Sequence, residues 1–178
     1  MSSTKKLKLE ELNRIDIATF KNAKKTPIVV VLDNVRSMHN VGAIFRTSDA
    51  FLVEKIILCG ITPTPPHREI HKAALGATDS VDWIYEKDIT TALSHLKAEG
   101  YNIVGIEQTN SSKSIETFHC DNKKPYAMVL GNEVDGLDEN AFSLYDHFLE
   151  VPQEGTKHSL NVSVCAGIAL WELYKQLR

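Results

Sequence analysis

"PIVVVLDNVRSMHNVGAIFR", Pro27 to Arg46, opens on an apolar run and closes on a lone arginine. The run at 27–33 reads as a strand. A glycine two residues after Asn40 suggests a tight turn behind it. If a helix starts at that turn, Arg46 lies one turn in, amid Val41, Ala43, Ile44 and Phe45. Three roles are open to it: a surface charge, a phosphate clamp or a catalytic group.

Working outward, further strand-like runs fall at 55–59, 81–85, 101–107, 126–131 and 147–151. Helical patterns lie between them at 41–52, 67–74, 88–99 and 138–145, with a last one at 160–177. This alternation predicts an α/β fold, a mainly parallel sheet flanked by helices. Ahead of it, residues 9–22 place Leu9, Leu12 and Ile15 at helical spacing and predict a short amphipathic helix. "AKKTP" then reads as a linker. The expected division is a basic extension over 1–26 and one domain over 27–178. The last helix is apolar on more than one face until Glu172, so it needs cover on two sides. A central core helix and a helix shared with a second copy both satisfy that.

The bulk numbers agree with a globular domain. The chain has 178 residues, enough for one domain with a proper core. It is 43% hydrophobic and 24% charged, within the ordinary range. No apolar run is long enough to span a bilayer, and the first residues carry no signal-like apolar stretch. Cys59, Cys120 and Cys165 show no CxxC spacing, which fits a reducing cytoplasm. Net charge is −3, but residues 1–26 hold seven Lys/Arg against three acids, +4, leaving −7 on the rest. A basic leader on an acidic body suits phosphate contacts, and equally a solvated terminus.

Familiar cofactor motifs are missing: there is no GxG and no P-loop. "HREIH" (67–71) has two histidines at i, i+4, but its Glu69 is one place off the zinc-protease pattern, so no metal is expected. Three polar or glycine-rich clusters sit instead at predicted strand ends, where open α/β sheets bind ligands. They are "NVGAIFR", "LGNEVDGL" (130–137) and "HSLNVS" (158–163). Gly131 and Gly136 are expected to let backbone approach a ligand. Ser159 is expected to cap the last helix, which leaves Asn161 in its first turn without a structural reason.

In order and spacing the three clusters resemble the SpoU-type branch of the SPOUT methyltransferases, the TrmH-like RNA ribose 2′-O-methyltransferases. The first motif, Asn-x-Gly-x-x-x-Arg, is Asn40, Gly42 and Arg46; the second, Gly-x-Glu-x-x-Gly, is Gly131, Glu133 and Gly136. The third, Ser-Leu-Asn-Val-Ser, is complete at 159–163, and "ALGAT" (74–78) and "GIEQT" (105–109) are also family-like. The resemblance covers about residues 9–177. It implies a C-terminal trefoil knot, a homodimer through the knotted region and the C-terminal helix, and S-adenosylmethionine as methyl donor.

By the same resemblance, Gly131, Val151, Leu160, Gln108 and Thr109 hold the cofactor, and Arg46 faces the target ribose. Arginine normally cannot accept a proton. It can grip a phosphate through its fork or stabilise a developing alkoxide. Asn40, Glu133, Ser159 and Asn161 are expected to hold Arg46 and the ribose by hydrogen bonding, with Glu133 orienting and not acting as base. The basic leader with Lys5 and Lys6, together with Arg36, His67, Arg68, His71, Lys72, Lys123, Lys124 and Lys157, is the expected phosphate-binding set. Within the family, the compact layout and the "GIEQT" segment in particular look closest to members that methylate a guanosine in the tRNA D-loop. An rRNA substrate is the alternative within the family, and an inactive RNA-binding or assembly factor the alternative outside it. An ordinary nucleotide-binding domain is disfavoured by the missing GxG and P-loop.

Overall fold

The computed structural model describes residues 4–178, the Leu9 side chain aside; residues 1–3 of the extension lie outside it. Seven strands form one sheet: β1 (Thr26–Asp33), β2 (Val53–Cys59), β3 (Asp82–Glu86), β4 (Asn102–Ile106), β5 (Lys113–Ser114), β6 (Tyr126–Leu130) and β7 (His147–Glu150). Their order is β3-β2-β1-β6-β4-β7-β5. All its ladders are parallel. The helices are α1 (Ile17–Asn22), α2 (Met38–Ala50), α3 (Arg68–Ala74), α4 (Ala77–Ser80), α5 (Ile89–Ala98) and α6 (Val162–Leu177). This is the helix-flanked parallel sheet that the alternation predicts. Among the described residues, no helix is long and apolar enough to cross a membrane.

Side chains on a strand alternate between faces, and a parallel sheet needs cover on both. In β1, Ile28, Val30 and Leu32 join a core with Val41, Ile44 and Phe45 of α2, Ile70 of α3, and Ala169, Leu170 and Leu173 of α6. Val29 and Val31 face the other way, against Ile89, Ala92, Leu93 and Leu96 of α5. That two-sided burial is why β1 is an unbroken apolar run.

Register decides where the site lies. Leu32 stands opposite Leu58 and Leu130, and Ile106 opposite Leu130 and Leu149. The C-terminal ends of β1, β6, β4 and β7 are therefore flush. β6, late in the chain, inserts beside β1, so the loops after these strands converge where strand order breaks.

Several local expectations change. The predicted helix over 9–22 is a 3-10 turn (Leu9–Leu12) and then α1, interrupted by Asn13 at φ 49° and restarted by Asp16, whose side chain accepts the Thr19 N–H. The predicted helix over 138–145 is a 3-10 turn, Glu139–Leu144, capped by Asp138. α4 and the two-residue edge strand β5 carry too little pattern to be seen in sequence. No turn occurs at Asn40–Gly42. Ser37 caps α2 by accepting the Asn40 N–H, so the helix already runs through both residues.

Gly42 has a different reason: α2 crosses α3 at that point. A Cβ there would lie 2.5 Å from the Ile70 carbonyl oxygen and 2.7 Å from the Ala73 Cβ. Alanine would gain about 1 kcal/mol of helix propensity. Overpacking against backbone costs about 1–3 kcal/mol, so the clash wins. Gly42→Ala is expected to lower the midpoint of thermal unfolding by several degrees, read by circular dichroism; an unchanged or raised midpoint refutes the close crossing.

Candidate active site

A cavity of about 360 Å³ opens at the ends of β4, β6 and β7. Ile106, Leu130, Val151, Leu160 and Val162 give it apolar walls; Gln108, Gly131, Glu133, Ser159 and Asn161 also line it. Four of the five expected cofactor residues thus meet here. The fifth does not. Thr109 is turned into a tight turn, its N–H donating to Ser112 Oγ at 3.1 Å and its side chain meeting Ser111 Oγ at 3.3 Å.

The loop from Gly131 to Gly136 folds back on itself. Asn132 and Gly136 exchange backbone hydrogen bonds at 2.9 and 3.0 Å. A Cβ on Gly131 would sit 2.2 Å from the Gly136 carbonyl carbon, and one on Gly136, at φ 72°, 2.3 Å from Glu107 Oε2. Both glycines are therefore demanded by the loop's own closure, where the sequence suggested approach to a ligand. Asn132 Oδ1 accepts the Val134 and Asp135 N–H groups, and its Nδ2 donates to the Asn34 carbonyl at 2.8 Å. Glu107 accepts the Leu137 N–H at 3.2 Å, and Asp33 the Asp138 N–H at 2.9 Å. Burial pushes the Asp33 carboxyl up, against the pull of that hydrogen bond. Sequence reasoning missed Asn132, Asp33 and Glu107 as loop anchors. A lone acid closing an apolar strand, as Asp33 does, was the available signal.

Glu133 ties this loop to α2. Its carboxylate accepts the Arg36 N–H at 2.9 Å, the Ser37 N–H at 3.0 Å and Asn40 Nδ2 at 2.9 Å. Asn40 Oδ1 in turn accepts from Asn161 Nδ2 at 3.1 Å. Asn161 caps α6, its Oδ1 accepting the Ser163 and Val164 N–H groups at 2.9 and 3.4 Å. The cap is therefore Asn161, not Ser159, and α6 starts at Val162. One residue from each motif joins this chain of hydrogen bonds. Burial raises the Glu133 carboxyl, but the hydrogen bonds from Arg36, Asn40 and Ser37 outweigh it, and the group sits below its ordinary value.

Arg46 stands apart. Six residues beyond Asn40, it lies about 120° around the helix. It is exposed, outside the cavity, and makes no hydrogen bond or ion pair among the described residues. The network does not hold it, because Asn40 and Arg46 occupy different sides of α2. Ser159 lines the cavity without joining the network.

Of the expected phosphate contacts, Arg36, His67, Arg68 and Lys72 are exposed beside or along α2 and α3. His67 Nδ1 also accepts the Glu69 N–H at 3.2 Å. Lys6 is exposed, and Lys5 pairs with Glu11 at 2.8 Å.

The charged side chains lining the cavity are Glu107, Glu133 and Glu150; no Lys or Arg lines it among the described residues. Such a lining repels phosphates and suits a cation with an apolar body. Fold and site together define a parallel α/β protein with an acidic small-molecule cavity at a break in strand order. More particularly, the chain belongs to the SpoU rRNA Methylase family, whose sequence profile matches residues 27–171. It is 32% identical over 155 residues to a 23S rRNA (guanosine-2′-O-)-methyltransferase of Neisseria meningitidis, covering 87% of this chain and 61% of that one. It is similar to the AdoMet-bound rRNA methyltransferase of Sinorhizobium meliloti, with a TM-score of 0.79, 28% identity, and coverage of 89% of this chain and 60% of that one. A TrmH/SpoU tRNA modifying enzyme of A. aeolicus gives a TM-score of 0.78 at 28% identity, covering 90% and 79%. The chain spans 40–66% of the first four curated relatives it matches.

A carboxyl held below its unfolded value stabilises the fold above that unfolded value, and the contribution is lost as pH falls through the lower, folded one. The stability difference between wild type and Glu133→Gln is therefore expected to be constant from about pH 6 to 8 and to shrink below about pH 4. Urea unfolding across that range checks it; a difference that grows in acid refutes the network.

Proposed function

We propose that this chain transfers a methyl group from S-adenosylmethionine to a ribose 2′-hydroxyl of structured RNA, a guanosine of ribosomal RNA. The observation that carries the reading is the Asn40–Glu133–Asn161 network at the rim of an acidic, apolar-walled cavity. The RNA class follows the relatives named for 23S rRNA guanosine. A tRNA D-loop guanosine is the second reading, favoured by the tRNA-modifying neighbour.

The cofactor, when bound, supplies an electrophilic methyl on a sulfonium, and the cavity fits it. Val151 and Leu160 would hold the adenosine, while Glu107, Glu133 and Glu150 offer a negative surround. A ribose hydroxyl is a poor nucleophile and must shed its proton as it attacks. Glu133 is engaged by three donors, and its lowered pKa makes it a weak base. It orients α2 and leaves the proton to phosphate or water. Arg46, with no ion pair to break among the described residues, grips the neighbouring phosphate and steadies the developing alkoxide. Arg36, His67, Arg68 and Lys72 extend that grip, as do Lys5 and Lys6 of the leader.

The same reading carries a C-terminal trefoil knot and a homodimer. Val164, Ile168 and Trp171 recur along the outer face of α6 at 53%, 37% and 43% exposure. A Cβ on Gly167 would meet nothing within 4 Å, so a second helix can come close there. An apolar helix face of this kind is what a second copy covers. Cytoplasmic RNA processing is the setting that the reading implies.

Two measurements test it. The purified protein, given methyl-labelled S-adenosylmethionine with ribosomal RNA and tRNA, is expected to place label on 2′-O-methylguanosine in rRNA, identified after nucleoside digestion. Label in the tRNA D-loop establishes the second reading; none on either RNA refutes both. Under single turnover, Arg46→Lys keeps the charge but loses the bidentate fork, and is expected to slow methylation by about tenfold or more with cofactor affinity unchanged. A wild-type rate removes the clamp.

A further inference from the structure

Of the three carboxylates around the cavity, two are spoken for. Glu107 accepts the Gln108 and Leu137 N–H groups at 2.9 and 3.2 Å, and Glu133 accepts three donors. Glu150 is different. It accepts a single hydrogen bond, Ser112 Oγ to its Oε2 at 3.0 Å, which leaves Oε1 without a partner among the described residues. Ser112 is itself held in place by accepting the Thr109 N–H at 3.1 Å. The turn that takes Thr109 away from the cavity thus aims Glu150.

Glu150 also borders a second space, about 350 Å³, which adjoins the first and shares Gln108 and His158 with it. Lys157 lines this second space and makes no ion pair among the described residues. Gln108 Nε2 donates to the His158 carbonyl at 3.4 Å and holds the 157–158 stretch against the end of β4. One unpaired anion and one unpaired cation therefore face a single polar annex beside the apolar-walled cavity. Glu150 is half-buried and Lys157 exposed, and neither neutralises the other through a salt bridge. That pattern is complementary to a zwitterion, an ammonium and a carboxylate on adjacent atoms.

We propose that the annex bordered by Glu150 and Lys157 receives the α-amino-acid end of the cofactor, Glu150 accepting from its ammonium and Lys157 donating to its carboxylate. The sequence reading put Lys157 among the RNA contacts; its place in the annex assigns it to the cofactor. The proposal rests on the S-adenosylmethionine reading and deepens it. It also makes the site selective: a nucleoside without the amino-acid end gains nothing from either residue.

Calorimetry with three ligands tests it: S-adenosylmethionine, S-adenosylhomocysteine, and methylthioadenosine, which lacks the amino-acid end. Glu150→Gln and Lys157→Met are each expected to weaken the first two by about tenfold and to leave the third within twofold, since loss of a charge-assisted hydrogen bond is on that scale. Unchanged methylthioadenosine affinity also shows that the cavity is folded in the variants. Equal loss for all three ligands, or no loss for any, overturns the annex. Loss in one variant alone overturns the role of the other residue. Failure of the wild type to bind any of the three overturns the cofactor reading itself.

Discussion

The Glu133 carboxylate is the joint on which the site depends. It gathers two backbone N–H groups ahead of α2 and the Asn40 side chain, and through Asn40 it reaches the cap of α6. Hydrogen bonds to an ionised acceptor are about twice as strong as neutral ones, and three of them on one group restrict its position closely. Without that joint, the loop after β6, the start of α2 and the start of α6 would be three separate surface features. With it, they share one geometry.

The loop that carries Glu133 is held from below by a second set of acids. Asp33 and Glu107 take the N–H groups of Asp138 and Leu137, and Gly131 and Gly136 allow the two arms to close. This has an electrostatic consequence. Glu107 and Glu133, which build the cavity wall, also leave it negative, so construction and ligand preference come from the same side chains. A phosphate-bearing ligand is disfavoured there, while the cations on α2 and α3 remain outside the cavity.

How much of this the sequence displays depends on the range of the interactions involved. The strands are legible because burial on both faces makes them apolar runs, as in β1. The amphipathic pattern at 9–22 misleads, because Asn13 and Asp16 impose a local break that spacing does not register. Gly42 looks like a turn glycine, but its reason is the Ile70 carbonyl, 28 residues away. Ser159 looks like the helix cap, and Asn161 like a poor helix residue. The order is the reverse, and Asn161 serves as cap and network member at once.

The class of fold is written in local composition and patterning, and the three motifs on which the family resemblance rests are legible as residue types at fixed spacing. Tertiary structure decided which residues act together. It joined Asn40, Glu133 and Asn161, turned Thr109 away from the cavity, placed Arg46 on the other side of α2, and brought Glu150 beside the 157–158 stretch. The physical reason is register: strand ends become flush only when the sheet pairs, and only then do loops from distant parts of the chain come within hydrogen-bond reach.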